Sequence, residues 1–404
     1  MIPVAVEAVA DAGVDSGAPS VLCHTYHPRF RRSVMDWAAT APELSDLAET
    51  FPALLFAIAT GYGTDDARRR TVELVMAGAP LRACAHVLDL PFWTRRLPPD
   101  AFTEPLDGLP LGMESGQRLA TLVPSEPATA ATWLSALQLG ARCCHEDFAL
   151  WIAGWADKHH RALATDQGQQ TLRWLAAWAW HAGRHDTAAH ILLRRGWIPA
   201  MGYRRALDEV VVWRQRILLA MALEASSPAP HVADGHHNGY DFVRLATATD
   251  FIAEAAAMDN CLDQFADRLM HGYSCVYSIR RNGRPVADVE IALHEQETCM
   301  PAIRQLRGSR NRRAAPAIWQ AAYAWLGSRP LPTVKPQDWK PTPARSRSAA
   351  RAFWSPYLHY LEDGGHSHDA DAFRALVLPA TSAARVPPGN RRPRSRTARR
   401  TERA

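Results

Sequence analysis

From Glu43 to Leu223 apolar residues recur three and four positions apart, the spacing that lines one face of an α-helix. Val72, Val75 and Met76 share such a face, and Gly78 followed by Pro80 supplies a left-handed stop and a helix-starting proline. Leu81, Cys84, Ala85 and Leu88 repeat the pattern. So do Phe148, Trp151, Ile152 and Trp155, and then Trp174, Leu175 and Trp178 before Gly183. Tryptophans at this spacing predict core positions rather than a stacking platform. Leu90 to Phe102 interrupts the helices as a proline-bounded connector with aromatic anchors. Helices joined by short Gly or Pro turns predict α-hairpins packed as an irregular bundle over residues 41–225, after an irregular segment 1–40.

Residues 226–239, rich in Ser, Pro, Gly and His, read as a linker. The period then changes. Thr249 to Met270 is predicted as one helix with Met258, Leu262, Phe265 and Leu269 on a single stripe. Cys275, Tyr277 and Ile279 alternate with polar or smaller neighbours up to Arg280, which predicts a strand. Asn282-Gly283 is a hairpin turn signal. Ala287, Val289, Ile291 and Leu293 alternate with Asp288 and Glu290 in a second strand. Met300 to Arg307 forms a third, and Pro316 to Leu326 returns to helix. The fold class is therefore α+β and mostly helical: a helical domain, then an α-β-β-β-α module over residues 240–327 with a small antiparallel sheet. Alternation puts Ser278, Arg280, Asp288 and Glu290 on one sheet face. The apolar face is expected to pack on Met258, Leu262, Phe265 and Leu269. Residues 328–404 read as a Pro- and Arg-rich tail, largely disordered apart from a short helix near Ala350 to Leu361.

Composition changes this picture in three places. No run of 18 apolar residues occurs in the 404-residue chain, so no membrane span is expected. The acidic start, Met1 to Ser20, lacks the basic region of a secretory signal. Seven cysteines, scattered without framework spacing, point to reduced thiols and a cytoplasmic location. The net charge of +5 is unevenly placed: residues 381–404 hold eight arginines against Glu402, and +5 minus +7 leaves −2 elsewhere. Only Lys158, Lys335 and Lys340 are lysines among 46 basic residues, an Arg bias that fits a GC-rich bacterial genome as well as selection for charge.

The module carries a run of polar and special residues: Asn260, Cys261, Gln264, Phe265, Gly272, Arg280, Glu290, Gln305, Arg307, Gly308 and Asn311. In this order the run resembles the PcfJ-like family of bacterial chromosomes and conjugative plasmids. Asn260 stands where many relatives place His, and Phe265 where many place Tyr. The resemblance is strongest over roughly 240–327. It implies an association with plasmid or mobile-element biology and brings no established activity.

Three functional expectations follow. The first is a nucleic-acid-associated accessory protein. Arg304, Arg307, Arg310, Arg312 and Arg313, together with the tail, would grip DNA or RNA phosphates by counterion release. The second is an enzyme for a phosphate-bearing or other anionic substrate, with Arg280, Glu290, Gln305 and Asn311 as its polar centre. Glu290 would be the general base, and Arg280 or Arg307 the anion clamp. The bland alternative is a cross-strand Arg280–Glu290 pair on a solvated face, with Asn311 capping the last helix. The third is a scaffold that binds a protein partner through the helical domain. Cys261, beside the apolar stripe, is expected to be a core thiol. The pairs Cys23-His24, Cys143-Cys144-His145, His159-His160, His236-His237 and His366 with His368 lack metal-site spacing, so no metal and no cofactor are expected.

Overall fold

The computed structural model describes residues 21–225, 232–270, 274–293, 300–330 and 343–378. The basic tail and Gly272 lie outside the described residues. The helical body runs through α1 (Pro28–Ala38), α2 (Pro42–Thr50), α3 (Pro52–Thr60), α4 (Asp65–Met76) and α5 (Leu81–Val87). After the Leu90–Phe102 connector come α6 (Met113–Leu122), α7 (Pro127–Cys143), α8 (Glu146–Ala156), α9 (His160–Leu163), α10 (Asp166–Ala182) and α11 (Tyr203–Ala225). Prolines open α1, α2, α3 and α7, where their fixed φ and missing N–H suit the first helical turn. Gly78 has φ +70° just after α4, the left-handed stop its sequence predicts. Trp133, Trp178 and Trp213 are fully buried in one continuous core, and Trp155 and Trp174 nearly so.

The sheet is a five-stranded antiparallel meander in sequence order: β1 (Gly235–His237), β2 (Tyr240–Arg244), β3 (Ser274–Arg281), β4 (Arg284–Leu293) and β5 (Pro301–Gly308). It therefore has two more strands than the alternation predicts, and β1 falls inside the presumed linker. Asn238 and Gly239, at φ +50° and +75°, make the same tight turn between β1 and β2 that Asn282 and Gly283 make between β3 and β4. His236 Nδ1 and Asp241 Oδ1, 2.7 Å apart, pair across that first hairpin.

Between β2 and β3 the chain does not form one helix. α12 (Ala248–Met258) starts with a capping box, Thr247 and Asp250 bonding each other's backbone N–H. It stops at Asp259, whose φ of +51° is left-handed. Asn260 Oδ1 accepts from the Leu262 amide at 3.1 Å and re-aims the chain into a 3₁₀ turn at 262–264 and α13 (Ala266–Met270). Local side-chain competition for the backbone thus breaks a run that apolar spacing alone reads as continuous.

The layering also reverses the expectation. Tyr277, Ile279, Val289 and Ile291 face α14 (Pro316–Gly327), where Trp325 stacks on Phe242 at 4.3 Å and 5°. The stripe residues Leu262, Phe265 and Leu269 instead pack with Val276 and Leu219 of α11, over the other sheet face. That face is covered rather than solvated: Ser278, Asp288 and Glu290 are all buried.

Residues 343–378 are not an extended tail. α15 (Pro343–Asp363) and α16 (Ser367–Val377) return to the helical body. Trp354 is fully buried against Trp174, Trp213 and Phe373. Buried Asp369 accepts from Arg142 Nε at 2.7 Å, with Arg173 at 3.5 Å. The Tyr357 hydroxyl donates to the Cys143 carbonyl at 2.8 Å. The apolar face of this segment is interrupted by Arg and Ser, which makes its composition look like that of a tail. No helix among the described residues is long and apolar enough to cross a membrane.

Candidate functional site

The kink after α12 brings most of the sequence-predicted positions to one place. Asn260, Cys261, Gln264 and Phe265 come from the kink, Glu290 from β4, Gln305 and Arg307 from β5, and Asn311 from the turn beyond it. Together with Arg268 and Asp288 they line a cleft of about 290 Å³. Arg280 does not line it. The β3–β4 register sets Arg280 opposite Pro285 and Glu290 opposite Val276, so the expected Arg280–Glu290 pair does not form. Arg280 lies 3.6 Å from Glu254 of α12 and donates to Ser278 Oγ at 3.1 Å.

Glu290 is 3% exposed and both its oxygens are taken. Arg268 Nη1 donates at 2.5 Å and Ser274 Oγ at 2.7 Å. The same Arg268 nitrogen reaches Gln305 Oε1 at 3.2 Å, and its guanidinium lies 5.2 Å from the Phe265 ring centre. A carboxylate so held is a structural anchor and not a free general base. Cys261 is exposed rather than a core thiol, with Asn311 Nδ2 donating weakly to its sulfur at 3.8 Å. The break after Asp259 turns it out of the stripe. Arg310 and Asn311 are consecutive left-handed residues, at φ +57° and +56°. Asn311 therefore does not cap α14, whose N-cap is Ala315 and whose first turn starts at Pro316. Gly308 closes this turn by donating its N–H to the Arg312 carbonyl at 2.9 Å.

Sequence reasoning missed the partner of Asp288. Asn260 Nδ2 donates to Asp288 Oδ2 at 2.7 Å, and the other flank of Asp288 meets Glu254, 3% exposed. Burial, and then the negative charge of Glu254, push the Asp288 carboxyl up to about 8. Oδ1 of Asp288 and Oε1 of Glu254 take no other hydrogen bond among the described residues, so a proton held between the two carboxyls satisfies both. The signal for Glu254 was present: it sits three after Phe251 and four before Met258, a charge on the buried side of an Ala-rich helix.

The pH dependence follows from this raised value. An unfolded aspartate gives up its proton near pH 4, whereas the folded pair keeps it to about pH 8. The contribution of Asp288 is full below about pH 4 and is lost as the pH climbs to about 8. Asp288→Asn keeps a donor toward Glu254 and an acceptor for Asn260. We expect it to match the parent near pH 4 and exceed it above pH 8, by on the order of 1–3 kcal/mol. Urea unfolding at both pH values checks this; parallel curves for the two proteins would remove the shared proton.

The arginine cluster divides. Arg310 pairs with Asp259 at 2.9 Å on the surface. Arg312 is exposed in the turn. Arg304, Arg307 and Arg313 line a second depression, an open groove of about 900 Å³ between the edge strand β5 and α14. Trp319, Gln320 and Tyr323 form its other wall. Trp319 is half-buried and Tyr323 is 60% exposed, their ring centres 5.7 Å apart. An antiparallel Arg307–Arg313 bridge folds the turn back on β5 and holds those two arginines side by side. Among the described residues Arg307 and Arg313 have no acidic partner, and Arg304 comes only to 4.0 Å from Glu290.

No family model, curated protein or solved structure matches the chain. Function therefore has to be read from the site's own chemistry. Among the described residues no group of three or more His, Cys, Asp or Glu side chains is placed to hold a metal ion.

Proposed function

We propose that the protein binds single-stranded nucleic acid along the groove between β5 and α14, as an accessory protein of plasmid or mobile-element biology. The observation that carries the reading is the convergence of Arg304, Arg307 and Arg313 with Trp319 and Tyr323 on one open surface. Arg307 and Arg313, which have no acidic partner among the described residues, supply phosphate contacts together with Arg304, and aromatic faces supply sequence-tolerant stacking. A duplex hides its bases' faces, so exposed rings favour a single strand. The motif likeness to PcfJ-like proteins supports the biological setting, and it rests on the residues named above. In this reading binding does not need the basic tail.

Fluorescence anisotropy with labelled oligonucleotides between about 50 and 200 mM salt tests the groove. The Arg304→Ala, Arg307→Ala, Arg313→Ala triple variant is expected to flatten the dependence of log affinity on log salt by about 2, at about 0.7 per lost phosphate contact. Tyr323→Ala is expected to weaken binding by about tenfold, in the range of one lost stack. Affinity indifferent to salt and to the triple change would sink the proposal.

A further inference from the structure

The cleft and the groove share a wall. Gln305 and Arg307 line both, so a phosphate held at Arg307 sits at the mouth of the cleft. We infer that the cleft is a nucleobase pocket, into which a strand lying in the groove turns one base. This rests on the nucleic-acid reading of the groove.

Three features argue for a base inside rather than a phosphate. The back wall is formed by the buried carboxyls of Asp288 and Glu290, whose oxygens are committed to Asn260, Glu254, Arg268 and Ser274 and offer an anion no donor. Arg307, which is exposed, is shared with the groove, whereas the charge of Arg268, exposed as well, is directed to Glu290. The groups left for a ligand are amides. Arg268 occupies Gln305 Oε1, so the Gln305 NH₂ is available as a donor. Neither Gln264 nor the Asn311 side-chain oxygen has a partner among the described residues. Mixed amide donors and acceptors match the edge of a heterocycle. Phe265, with Arg268 over its ring, gives a flat apolar wall for stacking. At about 290 Å³ the cleft is at the small end of ligand pockets, with room for one base and not for a base pair.

The unengaged side-chain oxygens of Gln264 and Asn311 accept from a base that carries an exocyclic amine. The test compares fluorescent dA, dC and dT homopolymers of equal length at one salt concentration, on the full chain. The expected result is that dA or dC binds about tenfold more tightly than dT, the scale of one good base contact. The exposed pair Gln264→Ala and Asn311→Ala is expected to bring the preferred homopolymer down to the dT level. Phe265→Ala is expected to do the same, but Phe265 also packs on α11, so its fold is checked by circular dichroism. Arg313→Ala, which lines the groove and not the cleft, should weaken all three homopolymers alike.

Equal affinities for the three homopolymers, with salt-steep binding intact, overturn the base pocket and leave the groove standing. A preference that survives the Gln264 and Asn311 changes also overturns it. Failure of any oligonucleotide to bind removes the groove reading and this inference with it. Free AMP or CMP competing as well as the oligonucleotide would overturn strand delivery, because the groove would then contribute nothing to occupancy of the cleft.

Discussion

Trp354→Ala is expected to destabilise the helical body by about 3–5 kcal/mol, the usual cost of emptying a fully buried indole site. Trp354 has no exposed surface and packs edge-on to Trp174, Trp213 and Phe373. Those rings come from α10, α11 and α16 and have little freedom to collapse into the void, because each is fixed by its own neighbours. Trp354→Phe preserves the aromatic contact with a smaller ring and should recover much of the loss. Urea unfolding followed by far-UV circular dichroism reads both changes. A loss under about 1 kcal/mol for the alanine variant would mean that α15 and α16 do not complete this core.

Asp263→Ala is expected to cost a comparable amount, about 3–5 kcal/mol, for an electrostatic reason. Asp263 Oδ2 accepts from Arg216 Nε at 2.9 Å, and both side chains are 10% exposed. Arg216 Nη1 also reaches the Leu192 carbonyl at 3.3 Å. Removing the carboxylate strands a guanidinium, which does not lose its charge, between α11 and the 262–264 turn. The Asp263→Leu, Arg216→Met double variant removes both charges together and should be markedly more stable than Asp263→Ala. If the double variant is as damaged as the single one, packing rather than the stranded charge sets the cost. The pair also anchors the segment that carries Cys261, Gln264 and Phe265, so Asp263→Ala should loosen the cleft along with the fold.

The helical body and the hairpin at Asn282-Gly283 were legible because they rest on local signals: period, proline starts and turn dipeptides. The first hairpin was written in the same letters, Asn238-Gly239. It was obscured because β1 has only three residues and no apolar alternation of its own. The middle of α15 was legible as a short helix near Ala350 to Leu361, but its full length, α16 and their return to the core were hidden by Arg and Ser in a segment whose apolar residues find partners more than a hundred positions away. The cleft was legible as a list of residues and illegible as an arrangement. Nothing in the spacing of Arg280 and Glu290 shows that the register keeps them apart, or that Arg268 reaches Glu290 first. A helical stripe through Met258, Leu262, Phe265 and Leu269 survives on paper a break that Asp259 and Asn260 impose through backbone geometry. Which face of a sheet is covered depends on both layers, and one strand's alternation describes only a contrast between faces.

The return of α15 and α16 to the helical body has a consequence for synthesis. During translation α1 to α11 leave the ribosome first, but the cluster around Trp174 and Trp213 cannot close until Trp354 and Phe373 arrive. All five strands and α14 emerge in the meantime. The order of completion is therefore the reverse of the order of emergence, and for that interval the nascent chain carries uncovered indoles. A chain halted before residue 343 would keep that exposed surface permanently, and such chains are the natural clients of chaperones and proteases.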